Sequence, residues 1–223
     1  SSISNSILPF IPSNKIVLAL LTIFWVYTIN ISNFLDGGDK YYVNFILPST
    51  FFFIFYYSFI DPDLIRLKIN ILIFLYFFHF SFYNKGPNKF FLGDTGSLIF
   101  GYLYCFNILN LAENREIILS LIMSIFLFTG VTLTLFLRVI NKKNIFSRHK
   151  GFFFHISKFL GRSNKSVASS IFFTNIGLVI LAIIYKLYFD SILILFLSIF
   201  IIILHLGYLL KYDIKNLKYT YLN

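Results

Sequence analysis

Residues 117–138 read IILSLIMSIFLFTGVTLTLFLR, a run of 21 uncharged positions that ends at Arg138. A helix needs about 20 apolar residues to cross a bilayer. Six further apolar runs occupy 16–35, 43–60, 65–83, 97–112, 167–186 and 191–210. Backbone groups in hydrocarbon must pair internally, so each run predicts a helix, although its Phe, Ile and Tyr content would favour strands in water. The sequence therefore predicts an all-α, polytopic transmembrane helix bundle with about seven spans.

The composition excludes an ordinary soluble domain. Of the 223 residues, 58% are hydrophobic and only 13% are charged, whereas a soluble domain carries roughly 25% charged residues. The net charge of +10 suggests nucleic-acid binding, but the basic residues are spread through the loops between apolar runs. The enrichment of Lys and Arg in cytoplasmic loops explains that distribution better. We therefore expect a lipid bilayer as partner, no nucleic acid, and a single integral membrane domain over residues 1–223.

The basic residues also predict which end of the bundle faces the cytoplasm. With seven spans, the loops near 36–42, 84–94 and 139–166 share one side with the tail 211–223. That side holds 14 of the 19 Lys and Arg residues when Arg138 at the loop edge is included. We therefore predict that this side is cytoplasmic. The polar residues that it brings together are Asp36, Asp39, Asn84, Asp94, Arg148 and His149.

The first polar segment reads NISNFLDGGD from Asn30 to Asp39, at the end of an apolar run. Asn30, Asn33 and Asp36 follow one another at helical spacing. Asp36 and Asp39 share a face if the helix continues, whereas the glycine pair between them indicates a break that lets a ligand approach the backbone. In either conformation, two close carboxylates repel each other unless a cation is nearby. The alternative is a hydrogen-bonded contact between helices.

The second polar segment reads FLGDTGS from Phe91 to Ser97. Its glycines permit turns in which backbone N–H groups point at an anion, and the start of the next helix adds partial positive charge. Asp94 is there a natural ligand for magnesium, which binds one or two carboxylates and completes its shell with phosphate oxygens and water. The alternative is a helix N-cap. We expect Asp36, Asp39 and Asp94 to gather around one divalent cation.

The longest loop, from Arg138 to Ser166, contains ten Lys, Arg and His residues and no acidic residue. Phenylalanines are interleaved with these basic side chains. Such a loop suits either the clamping of a diphosphate or contact with lipid headgroups. Arg148 and His149 are the better candidates for ligand contacts.

Two motifs resemble those of the polyprenyl-phosphate N-acetylhexosamine-1-phosphate transferases, glycosyl transferase family 4: Asn30-x-x-Asn33-x-x-Asp36-Gly37-x-Asp39 and Phe91-Leu92-Gly93-Asp94-Thr95-Gly96-Ser97. The resemblance implies a magnesium-dependent enzyme, in which manganese can also serve. It would move a sugar 1-phosphate from a UDP-sugar to undecaprenyl phosphate and release UMP. The implied place is the cytoplasmic face of a bacterial inner membrane, in O-antigen, lipopolysaccharide or peptidoglycan synthesis.

The same resemblance implies roles for individual residues. Asp94 would hold the magnesium, with Asn33 as a second metal ligand. Asp36 and Asp39 would organise the metal and the phosphates or bind the nucleotide, which makes all three aspartates catalytic. The substrate-binding residues that it implies are Asn30, Asn33, Asn84, Arg148 and His149.

The chain departs from the family pattern in two ways. It contains no Asp-Asp pair, although the family has such a motif before the first one seen here. We therefore expect the family's N-terminal spans, with a catalytic carboxylate, to lie upstream of Ser1. In the last loop, Phe152 stands where a second histidine is expected and His155 where a glutamine is expected. This second departure leaves the donor sugar open.

Two other function classes fit the same residues. Acidic residues at broken membrane helices also suit an ion-coupled transporter or channel, which would place them near the bilayer midplane. A non-catalytic relative that only holds a partner complex is the other alternative. The oligomeric state is open as well, and a homodimer is one of the states expected.

Overall fold

The structure is a computed structural model that describes residues 15–85, 90–140, 142, 152–153, 157, 160–188 and 190–210. Within these residues it is helical and contains no strand, so the predicted all-α class is confirmed. The helices are α1 (Lys15–Leu35), α2 (Tyr41–Phe55), α3 (Leu64–Phe80), α4 (Gly93–Glu113), α5 (Ile117–Ile140), α6 (Asn164–Leu187) and α7 (Ile192–Leu210).

Six of these helices are long and apolar enough to cross a membrane, which makes this a multi-pass membrane protein. They include α2, whose apolar stretch continues through a five-residue π-helix, Tyr56–Ile60. The predicted span 65–83 forms α3, which has only 17 residues. That length lies at the lower limit for a transmembrane helix.

Two helices begin three or four residues earlier than the apolar runs predict, because polar groups cap their first turns. α4 begins at Gly93 rather than at 97, so Asp94 lies in its first turn. α6 begins at Asn164 rather than at 167, because the Ser163 side chain accepts a hydrogen bond from the Ser166 N–H at 3.2 Å. The apolar runs do not reveal such caps, because capping residues are polar and lie outside the runs.

A close crossing of α1 and α4 positions the two polar segments. A Cβ atom on Gly101 of α4 would lie 2.8 Å from the Ser32 side chain and 3.1 Å from the Ile29 Cα of α1. Small residues at such a crossing allow the backbones of membrane helices to approach closely. The C-terminus of α1 is thereby held against the N-terminus of α4, at the end of the bundle where both motifs lie.

Buried amides form a second polar cluster away from these motifs. Asn70 of α3 and Asn107 of α4 exchange two side-chain hydrogen bonds of 3.1 and 3.2 Å. One turn further along α4, the Asn110 amide donates to the Tyr57 hydroxyl at 3.1 Å. All four side chains are buried. Because polar groups in hydrocarbon need partners, this network ties α2, α3 and α4 together.

Candidate active site

The connection between α1 and α2 resolves the ambiguity of the first motif. α1 ends at Leu35, so the chain breaks before Asp36 rather than continuing as a helix. The Asp36 carboxylate then accepts hydrogen bonds from the N–H groups of Leu92 at 3.4 Å and Gly93 at 3.0 Å. Asp36 therefore caps the start of α4 from the α1–α2 connection. The sequence predicted that N–H groups of this turn point at an anion, and in the structure that anion is the Asp36 carboxylate.

Gly93 makes this cap sterically feasible. Its φ is +67°, in the left-handed region that side chains rarely adopt. A residue with a Cβ would meet no neighbouring atom there but would strain the backbone. The glycine therefore lets α4 begin where its first N–H groups point at Asp36.

Asp36 is only 7% exposed, and this burial has the largest effect on the pKa of its carboxyl group. Burial raises the pKa of Asp36 to about 6, although the two N–H groups act in the opposite direction. The nearby charge of Asp94 raises this pKa further. The carboxyl therefore titrates close to neutral pH, and a cation beside it would favour its ionised form.

Asp94 is exposed, and its orientation is set by the first motif. The Asn33 Nδ2 donates to Asp94 Oδ1 at 3.2 Å, and the Asn33 Oδ1 accepts a hydrogen bond from the Ser97 hydroxyl at 2.7 Å. In this arrangement Asn33 presents its nitrogen to the carboxylate. The geometry therefore supports an orienting role for Asn33, whose amide nitrogen rather than its oxygen faces Asp94.

Asp39 is held by α6 rather than by α4. Its Oδ2 accepts a hydrogen bond from Asn164 Nδ2 at 3.2 Å, and the Tyr41 hydroxyl donates to Asn164 Oδ1 at 3.4 Å. Asn164 is not among the site residues predicted from the sequence. No local pattern identifies it, because its contact joins residues 125 positions apart and depends on α2 lying beside α6.

Asn84 is buried between the two motif loops, and it is 2% exposed. Its Oδ1 accepts the Lys40 N–H at 2.5 Å, and its Nδ2 donates to the Phe90 carbonyl at 2.6 Å. Lys40 adopts a left-handed conformation with φ of 61°, which turns the chain into α2. Both functional atoms of the amide are thus occupied by backbone groups, so the structure supports a loop-holding role for Asn84.

Asn30 is not drawn into this group. Asn30 is exposed, and its Nδ2 donates to the Val26 carbonyl of its own helix at 2.8 Å. Arg148 and His149 lie outside the described residues. His205 of α7 is buried, and its Nδ1 lies 2.9 Å from the Thr174 hydroxyl, which is a contact between helices.

The three aspartates do not form one metal-binding group. Among the described residues, no three His, Cys, Asp or Glu side chains are arranged to hold a metal ion. Asp36 is directed at α4 and Asp39 at α6, which leaves Asp94 as the exposed carboxylate. A single accessible carboxylate fits magnesium, which commonly takes few protein ligands and completes its shell with phosphate and water.

Comparison with known families decides the class. The model of glycosyl transferase family 4 matches residues 2–112, about half of the chain, and this range contains both motifs. The chain belongs to glycosyl transferase family 4. As a member of glycosyl transferase family 4 it is a membrane-bound phosphoglycosyl transferase, in the general sense of a protein that transfers a phosphosugar to polyprenyl phosphate. No curated protein and no solved structure matches the chain.

Proposed function

We propose that this protein transfers an N-acetylhexosamine 1-phosphate from a UDP-sugar to undecaprenyl phosphate and releases UMP. The observation that carries the proposal is the hydrogen bond of 3.2 Å between Asn33 and Asp94, which joins the two motifs across 61 residues. The Asp36 cap on α4 supports the same arrangement independently. Both contacts place an exposed carboxylate at one end of an apolar bundle, where a lipid-borne phosphate can meet a nucleotide.

In this reaction an oxygen of the lipid phosphate attacks the β-phosphorus of the donor. A new P–O bond forms, the bond from the β-phosphorus to the bridging oxygen breaks, and UMP leaves with that oxygen. Both reactants are anions, so their repulsion raises the barrier. A magnesium ion, when bound, would neutralise charge on the diphosphate as it develops. Asp94 is the residue that would hold it, with Asn33 beside the carboxylate.

The hydrogen bonds of the two motifs position Asp94. Ser97 fixes Asn33, and Asn33 fixes Asp94. Asp36 fixes the first turn of α4, on which Asp94 lies. Holding the reacting groups in place removes part of the entropic barrier. The resemblance assigns Arg148 and His149 to the donor's diphosphate or sugar, where charge-assisted hydrogen bonds would stabilise the phosphates.

We place the reaction at the cytoplasmic face of a bacterial inner membrane. The site lies at the end of the bundle whose loops hold 14 of the 19 Lys and Arg residues, as expected for the cytoplasmic side. The product would feed O-antigen, lipopolysaccharide or peptidoglycan synthesis. The position of the aspartates at helix ends favours this surface chemistry over a transporter, which would hold them near the midplane.

The test is transfer by membranes that contain the full-length protein. The membranes are incubated with undecaprenyl phosphate, magnesium and UDP-N-acetylglucosamine or UDP-N-acetylmuramoyl-pentapeptide, each labelled in the β-phosphate. We expect label in the lipid and UMP in the water phase for one donor. Asp94→Asn should lose this transfer, whereas Asp61→Asn, at the opposite end of the bundle, should keep it. Absence of transfer from every N-acetylhexosamine donor would favour the non-catalytic alternative.

A further inference from the structure

The N-terminus of α6 is anchored to α7. The Ser166 hydroxyl lies 2.7 Å from the Tyr208 hydroxyl. The Arg162 guanidinium lies over the Tyr208 ring, 3.7 Å from its centre, and donates a hydrogen bond to the Tyr208 carbonyl. A cation stacked on an aromatic ring adds an electrostatic attraction to this contact. The first turn of α6 is thereby fixed from one side.

The start of α6 is also fixed by α2. Asn44 of α2 donates from its Nδ2 to the Ala168 carbonyl of α6 at 2.7 Å. Tyr41, which is fully buried, donates from its hydroxyl to Asn164 Oδ1 at 3.4 Å. With its oxygen held by Tyr41, the Asn164 amide turns its nitrogen toward Asp39. The direction of this donor is therefore set by two neighbouring helices.

We propose that Asn164 is a positioning residue for Asp39, an inference that rests on the proposed function. Asp39 follows the glycine pair of the α1–α2 connection, where the backbone has little intrinsic stiffness. The hydrogen bond of 3.2 Å from Asn164 Nδ2 to Asp39 Oδ2 fixes the carboxylate against α6. Because α6 begins directly after the basic loop, the helix that returns from that loop also sets the direction of Asp39.

Substitutions of Asn164 separate positioning from packing by the order of their effects. Asn164→Ala removes the donor to Asp39 and leaves space. Asn164→Asp keeps the shape but replaces the donor with a second negative charge beside Asp39, which repels it. If Asn164 acts through its donor, the aspartate variant is the slower enzyme. If Asn164 only fills space, the isosteric aspartate variant is the faster one.

The experiment measures kcat/KM for the UDP-sugar in the full-length protein at about pH 8, where an introduced carboxyl is ionised. We expect Asn164→Ala to lower kcat/KM about 10- to 100-fold, the range for a hydrogen bond to a charged group, and Asn164→Asp to lower it further. Asn175→Ala is the matched control, because Asn175 is buried in the same helix and donates to the Ile171 carbonyl of that helix at 2.8 Å.

Thermal unfolding of Asp39→Ala, Asn164→Ala and the double variant tests the contact without requiring turnover. We expect the loss of stability in the double variant to be smaller than the sum of the two single losses, because each single substitution removes the same hydrogen bond. Additive losses overturn the contact. Two results overturn the positioning role and leave the proposed function standing. In one, the wild type is active and both Asn164 variants keep kcat/KM within about twofold of it. In the other, the aspartate variant is faster than the alanine variant. A wild type without transfer overturns the proposed function, and the positioning role with it.

Discussion

The pKa of Asp36 gives a quantitative prediction for the stability of the protein. Burial raises this pKa from 3.8 to about 6 in the folded state. Between these two values the folded protein keeps a proton that the unfolded chain releases, so the free energy of unfolding falls as the pH rises. The shift of about two units corresponds to about 3 kcal/mol. Because most of this change falls between pH 4 and pH 7, the expected decrease in Tm over that range is about 5–10 °C for a chain of this length.

The matched variant is Asp36→Asn, which keeps the shape and an acceptor oxygen for the Gly93 N–H but cannot ionise. We expect its stability to lack the Asp36 component of the pH dependence. At pH 7 and without divalent cations it should be at least as stable as the wild type, because it avoids the burial of a charge. It should nevertheless lose sugar-phosphate transfer, since the resemblance makes Asp36 catalytic.

Thermal unfolding in detergent and EDTA measures this difference between pH 4 and pH 7. The only tryptophan, Trp25, stacks on Tyr102 across the α1–α4 interface with ring centres 5.0 Å apart, so its fluorescence follows the contact that Asp36 helps to hold. Other titrating groups affect both proteins equally and cancel in the comparison. An equal decrease of Tm in wild type and variant would refute the reasoning, and so would a wild type that gains stability over the variant as the pH rises.

Three further predictions concern the site and its support. Asp94→Asn should reduce transfer at least about 100-fold with an unchanged unfolding curve, and near-normal turnover of labelled donor would contradict the metal role. EDTA should abolish transfer and magnesium should restore it, with partial recovery in manganese; activity in excess EDTA would contradict metal dependence. Gly101→Val should destabilise the α1–α4 crossing by about 1–3 kcal/mol because the backbones must separate. Its control is Gly130→Val, where an added Cβ meets no atom within 4 Å, and equal Tm values for the two variants would count against the close crossing.

The sequence predicted the parts of the structure that depend on local pattern. Apolar runs gave the helices, since hydrocarbon forces each run to satisfy its own backbone. Counting those runs placed Asp36 and Asp94 at the same end of the bundle, where the Asp36 cap on α4 joins them. The sequence left two conformations open for the first motif, and the structure has the break, because α1 ends at Leu35.

What the sequence did not predict depends on which helices are neighbours. Asn164 contacts Asp39 only because α2 lies beside α6, and no spacing in the chain encodes that contact. We expected Asp36 to join Asp39 and Asp94 around one cation. In the structure Asp36 caps α4 instead, so its oxygens face backbone N–H groups. Asn84 fits its motif position equally well as a ligand or as a residue that holds the loops, and its burial and its two hydrogen bonds to backbone groups distinguish the two roles.

Binding of manganese to the purified full-length protein tests the central claim most directly, because its electron paramagnetic resonance signal changes when the free ion is bound. With the UDP-sugar present, we predict manganese binding by the wild type and by Asp61→Asn, and its loss in Asp94→Asn. Manganese binding by Asp94→Asn with the affinity of the wild type would contradict the account, because Asp94 would then not hold the cation.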